Sequence, residues 1–178
     1  GAKQAGAEVK VVRVKETAPQ AAIEGNPNWK THTEKTKDVP EATLDVLEWA
    51  DAYIFSIPTR YGNMPSQMQS FLDTTGGLWF QGKLANKVVS GMSSAMNPHG
   101  GQEATIQSLY KTMMHWGAII AAPGYTDPVT FAAGGNPYGT SVTVDQDGNM
   151  QEDVKDAVQY QARRTVQVAQ WVKKGSEG

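Results

Sequence analysis

Tyr53-Ile-Phe-Ser-Ile57 constrains this chain more than any other stretch. The run is too short for a helix, too unbroken for a strand with one wet face, and rich in β-favouring side chains. It predicts a strand covered on both faces, as in a parallel sheet flanked by helices. Pro58 cannot donate to a ladder and keeps Ile57 extended, which ends the strand. Thr59-Arg-Tyr-Gly-Asn63 then packs a hydroxyl, a guanidinium, a ring, a flexible backbone unit and an amide together. Pro65 opens the next element, and Ser66–Thr75 carries Met68, Phe71 and Leu72 at helical spacing. A polar loop leaving the carboxyl end of a buried parallel strand is where open α/β sheets bind ligands. An ordinary strand–helix connection with an exposed arginine is the alternative.

The 178 residues read as a single domain, long enough to bury a core. Gly1–Gly6 reads as the last turn of a helix closing on glycine, followed by a strand over Glu8–Val14. Lys15–Val39 reads as a long loop with one helical turn, and Pro40 as the start of a short helix carrying Leu44, Leu47 and Ala50. Lys87–Met92 and Ala118–Ala122 are further buried strands, and Thr140–Val144 is a short one. Gln102–Gly117 places Ile106, Leu109, Tyr110 and Met113 on one stripe; Asp153–Lys174 does the same with Val154, Val158, Ala162 and Val166. Strands alternating with helices predict βαβ crossovers and a three-layer α/β sandwich on a parallel sheet. The loops after the strands ending at Ile57, Met92 and Ala122 should therefore meet at one rim. Gly76–Gly82 brackets Trp79 and Phe80, which suits an aromatic wall over a pocket, an interface patch, or a small cluster under a loop.

Composition removes several chemistries. A net charge of −2 with sixteen scattered Lys and Arg offers no stripe for a phosphate backbone, so direct nucleic-acid binding is not expected. The absence of cysteine excludes disulfides, thiolate catalysis and Cys-based metal sites. No apolar run reaches membrane length and no signal pattern opens the chain, so a cytoplasmic protein is expected. His32, His99 and His115 fall in different elements, and Asp145-Gln-Asp-Gly-Asn149 fits a tight turn better than a calcium loop, so no metal site is expected. No nucleophile elbow or glycine-rich phosphate loop occurs. His115 closes its helix at the far end from the expected rim, where an imidazole also serves as a cap.

Pro58-Thr-Arg-Tyr-Gly-Asn-Met64, Gln67-Met68, Phe71-Leu-Asp73, Thr75-Gly-Gly-Leu-Trp79, Ser93-Ser94, Gly100-Gly-Gln-Glu103, His115, Gly134-Gly135 and Pro137-Tyr-Gly139 together carry a resemblance. The chain resembles the WrbA family, flavodoxin-like NAD(P)H:quinone oxidoreductases that bind FMN, across Leu44 to about Gly139. The resemblance implies a flavodoxin-like sheet of strand order 2-1-3-4-5. It places Thr59, Arg60, Tyr61, Gly62 and Asn63 alongside the flavin ring, with Ser94, Ala95, Met96, Asn97 and Gly100 in a second flavin loop. His115 matches a flavin-site histidine and Trp79 an aromatic facing the substrate side, suited to a flat quinone. Because family members are tetramers, His115 could reach the pocket across a subunit boundary.

Two departures stand out. The second loop, Ser94-Ala-Met-Asn-Pro-His-Gly-Gly-Gln-Glu103, is one residue longer than the family's, and Pro98 cannot donate to a ligand. The family's opening strand and phosphate loop also have no counterpart here. That strand would lie between Val9–Val14 and Ala52–Ile57, so about 20–25 preceding residues are expected. The resulting expectation is two-electron quinone reduction by NAD(P)H through FMN, with ping-pong exchange in one pocket. A one-electron flavodoxin-type carrier and a non-catalytic partner of a transcriptional repressor are the rivals.

Overall fold

The structure, a computed structural model, describes residues 1–176. A 3-10 turn at Lys3–Ala5 is followed by α1 (Gln20–Glu24), α2 (Pro27–Thr36), α3 (Leu44–Trp49), β1 (Ala52–Pro58), α4 (Ser66–Asp73), α5 (Gly76–Phe80) and β2 (Val88–Ala95). Then come α6 (Gln102–His115), β3 (Ile119–Ile120), α7 (Pro128–Ala132), β4 (Ser141–Thr143) and α8 (Lys155–Ser176). The pairings between these strands are parallel. β1 runs along β2 from Ala52↔Val88 to Pro58↔Ser94, and β2 divides its other side between β3, at Val88 and Val89, and β4, at Ser93–Ala95. This order matches the 3-4-5 part of the expected sheet.

The main core lies on the face shared by α3, α4 and α6. Leu47, Tyr53, Phe55, Ile57, Met68, Leu72, Ile106, Leu109 and Met113 are all buried there. Side chains alternate across a strand. Gly91 therefore presents its Cα to Leu109 and Ile106 of α6, while Ser90 bonds Gln161 of α8 on the opposite face. The expected third layer is in place.

The split column at β3 and β4 has a structural consequence. Between the two short strands the chain leaves the sheet at Pro123 and returns at Thr140, so on that side Gly91 in the middle of β2 has no strand opposite it. Its two ladder groups are satisfied by side chains from opposite layers. Gly91 N–H donates to the Tyr110 hydroxyl at 3.0 Å, and Gly91 C=O accepts from Gln161 Nε2 at 2.7 Å. The Tyr110 hydroxyl donates to the Tyr138 carbonyl, 2.6 Å, and Gln161 Oε1 accepts from Thr140 N–H, 2.7 Å. Burial pushes the Tyr110 phenol above its ordinary pKa, so it remains a donor.

Several expectations need correction. Glu8–Val14 is not a sheet strand: it makes one isolated bridge, Arg13 to Glu41, and Val11 is 69% exposed. Among the described residues no strand lies on the free side of β1, and pairing needs a neighbour within ~5 Å. β1 is fully buried on one face only. Tyr53, Phe55 and Ile57 are buried, but Ile54 on the α8 side is 38% exposed.

The long loop contains two helices. Asn26 Oδ1 caps α2 by accepting from Asn28 and Trp29 N–H, with Pro27 in the first turn. No α2 residue is buried, so periodicity could not reveal it. Pro40 does not open a helix; α3 starts after Thr43, whose hydroxyl accepts from Val46 N–H. Gly76–Phe80, read as a glycine-bracketed loop, is helical around buried Leu78.

Glu16 ties the strap of α1 and α2 to α4. Its carboxylate accepts from Thr17 N–H, Ala18 N–H, Trp29 Nε1 and Gln67 Nε2. Partial burial pushes this carboxyl up, but the four hydrogen bonds outweigh burial and hold it below its usual range.

Candidate functional site

Parallel strands deliver their carboxyl ends to one rim, and two of the three expected loops meet there. The third does not leave from Ala122. β3 pairs with the start of β2, so that exit is mid-sheet, and the rim end of the column belongs to β4. The third crossing is the turn after Thr143. Asp145 organises it by accepting from Asp147 and Asn149 N–H, and the Asn149 side chain is the first of the bonds that hold its carboxyl below the ordinary range.

The loop after β1 begins with Thr59 N–H on the Ser94 carbonyl, 2.9 Å. Arg60 and Asn63 then exchange both backbone bonds, at 2.8 and 3.0 Å. The two residues between them are left-handed, Tyr61 at φ 51° and Gly62 at φ 75°. This is a two-residue primed turn of the type that joins tight hairpins. Glycine suits the second position. A tyrosine at the first is strained by about 1 kcal/mol, and its ring is fully exposed at the rim. Arg60 turns one nitrogen onto the Thr59 carbonyl and makes no ion pair among the described residues.

The loop after β2 is folded by Asn97. Its side chain accepts from His99 N–H, and its carbonyl accepts from Gly100 N–H and Gln102 Nε2. Pro98, which has no proton to give, sits where this scheme needs none. The loop then touches its neighbour: a Cβ built on Gly101, which lies at φ 95°, would be 2.7 Å from Gly62 Cα. Only two residues without side chains let the backbones come so close. Thr59 Oγ1 also accepts from Thr105 Oγ1 on α6, 2.7 Å. A cleft of about 520 Å³ opens beside this loop, between α6 and Ala133–Thr143, with His99, Glu103 and Glu152 on its walls.

Thr59, Arg60, Tyr61, Gly62 and Asn63 are therefore gathered with Ser94, Ala95, Met96, Asn97 and Gly100. Trp79 and His115 are not. Trp79 is 52% exposed and its Nε1 donates to the His115 carbonyl at 2.8 Å. Both stand at the strand-start end, separated from the rim by α6, whose fourteen residues span roughly 20 Å. Phe80 and Met114 are exposed beside them in sequence.

Residues 1–126 match the family model for NADPH-dependent FMN reductase. The chain belongs to that family. An NAD(P)H dehydrogenase (quinone) of Deinococcus radiodurans is 54% identical over 166 residues, 93% of this chain and 82% of the relative. A protein of the same description from Aromatoleum aromaticum is 39% identical, covering 96% of this chain and 85% of its own length. Among solved structures, the flavodoxin, WrbA-like protein from Agrobacterium tumefaciens superposes with a TM-score of 0.50 at 21% identity, over 73% of this chain and 71% of that one. At that identity the likeness speaks for the fold, and it agrees with the flavodoxin-like topology described above.

Within the family frame, sequence reasoning missed Thr105 and Glu16. Thr105 sits among the stripe residues of α6 and gave no periodic signal, and Glu16 lies in a segment read as loop. Tyr61 carries a measurable consequence of its backbone. Tyr61→Asn should raise the melting temperature by about 2–4 °C, because asparagine tolerates the left-handed region. The same change tests the expectation that Tyr61 lies alongside the flavin, which requires flavin binding to weaken roughly tenfold on loss of the ring. Thermal melts and flavin fluorescence titration measure the two effects separately; an unchanged melting temperature would mean that the turn is unstrained.

Proposed function

We propose that this protein is an FMN-dependent NAD(P)H:quinone oxidoreductase that transfers two electrons. The observation that carries the reading is the meeting of the Thr59–Asn63 and Ser94–Gly101 loops at the carboxyl rim of a parallel sheet, in a chain of this family. The residues fit a flavin. Two polar loops converge through glycines, a guanidinium with no ion pair among the described residues stands at their mouth, and an exposed aromatic ring is held there against backbone strain. Thr59 to Asn63 and Ser94 to Asn97 with Gly100 would hold the group by backbone and side-chain contacts. When bound, FMN supplies hydride acceptance and two-electron release. Arg60 and the loop amides would place positive charge and N–H donors where negative charge develops, and Tyr61 would offer a flat apolar surface.

Trp79 and His115 enter this scheme only from a neighbouring subunit. A homotetramer in which one protomer presents its Trp79–His115 end to another's rim would complete the pocket, with Trp79 lining the quinone side. Their exposure at the far end of α6 supports that arrangement, as does the family resemblance. No helix among the described residues is long and apolar enough to cross a membrane. We place the enzyme in the cytoplasm, where its cysteine-free chain needs no oxidising partner.

Flavin absorbance of the purified full-length protein, followed by NADH- and NADPH-dependent reduction of benzoquinone, tests the proposal. The expected result is a yellow protein with parallel double-reciprocal lines. Colour without turnover would favour the one-electron carrier. Neither colour nor turnover would favour a non-catalytic binding protein.

A further inference from the structure

The structure assigns Thr105 as a positioning residue that fixes the direction of the Thr59 hydroxyl toward the flavin slot; this rests on the reading of Thr59 as a flavin contact. Threonines inside helices usually return their hydroxyl to a carbonyl of the preceding turn. Thr33, Thr36 and Thr165 do so here, bonding the carbonyls of Trp29, His32 and Gln161. Thr105 does not. It is fully buried, its N–H follows the helix to Gly101, and its hydroxyl donates instead to Thr59 Oγ1 at 2.7 Å, 46 residues away in sequence.

That bond has a directional effect. A hydroxyl has one proton and two lone pairs. Because Thr105 donates, Thr59 receives on a lone pair and keeps its own proton. The internal acceptor for that proton is the Gly100 carbonyl at 3.4 Å, a long and weak contact. Thr59 is therefore held as a donor with an underused proton, at the point where the two loops meet. Its backbone cannot drift, since its N–H is fixed on Ser94. A donor aimed at a ring that gains negative charge on reduction favours the reduced state.

The test uses Thr105→Val, which keeps the volume and removes the hydroxyl, Thr105→Ser, which restores it, Thr59→Val, and the double variant Thr59→Val/Thr105→Val. The readouts are FMN affinity by fluorescence titration and the two-electron midpoint potential. Thr105→Val is expected to weaken FMN binding about five- to tenfold and to lower the potential. Thr105→Ser should recover both, and the double variant should bind FMN no worse than Thr59→Val. If Thr59→Val weakens FMN binding while Thr105→Val leaves affinity and potential at the parent values, the positioning role is refuted and the site reading survives. Additive effects in the double variant would refute it as well, because the two hydroxyls would then act independently. If Thr59→Val changes neither quantity, the reading of Thr59 fails and this inference goes with it.

Discussion

Gly139→Ala is expected to destabilise the protein by about 4 kcal/mol, a drop of roughly 10 °C in melting temperature. A methyl group at this position would overlap the Gly91 carbonyl oxygen and crowd Ile106 Cδ1 at 3.1 Å. The obstacle is backbone, so no rotamer change relieves it. Neither side can move away cheaply. The Gly91 carbonyl is held by Gln161, the preceding Tyr138 carbonyl by the Tyr110 hydroxyl, and the following Thr140 N–H by Gln161 Oε1. Any shift that makes room for the methyl breaks at least one of these buried bonds. Thermal and urea unfolding check the expectation. A variant that melts within about 2 °C of its parent would show that the returning segment is not pinned against β2.

Gln161→Leu should have an effect of similar size for a different reason. Gln161 is fully buried on α8 and makes three bonds of 2.7 Å: to Ser90 Oγ, to the Gly91 carbonyl and from Thr140 N–H. Leucine fills the space but leaves the Gly91 carbonyl and the Thr140 N–H buried without partners. At about 1–3 kcal/mol for each orphaned group, the expected loss is about 4 kcal/mol. Ser90 is less affected, since its hydroxyl donates to the Ala121 carbonyl at 3.0 Å. Urea unfolding should move to a lower midpoint with an unchanged slope. Amide exchange at Thr140 should accelerate more than exchange in the α6 interior. A loss under about 1 kcal/mol would mean that water or a rearranged loop replaces the amide.

The two substitutions probe one weakness of the fold, the gap in the column beside β2. The sequence marks its ends clearly, with Pro123 halting one strand and Thr140 opening another, but it contains no sign that both would share one column. Gln161 follows Val158 by three residues and so borders the apolar stripe of Val158, Ala162 and Val166 on α8, but a glutamine at such a margin ordinarily points its amide outward. The residue is drawn inward because a strand residue 70 positions earlier has lost its ladder partner. Thr105 was hidden in the same way. Its hydroxyl bonds across 46 positions, and no local window contains both groups.

Local signals carried the rest. The apolar run at Tyr53–Ile57, its proline stop, the stripes of α6 and α8 and the turn glycines are all decisions made within about ten residues, and they were enough to fix an α/β sandwich with two of its three expected loops at one rim. Cysteine content and charge narrowed the chemistry without any coordinates. The tertiary structure alone decided which loops touch, where the third crossing lies, that Glu8–Val14 stays outside the sheet, and that Trp79 joins His115 at the far end of α6. These are outcomes of packing between distant segments. They depend on which backbone groups remain unpaired once the sheet has formed, and that quantity exists only after the strands have found each other.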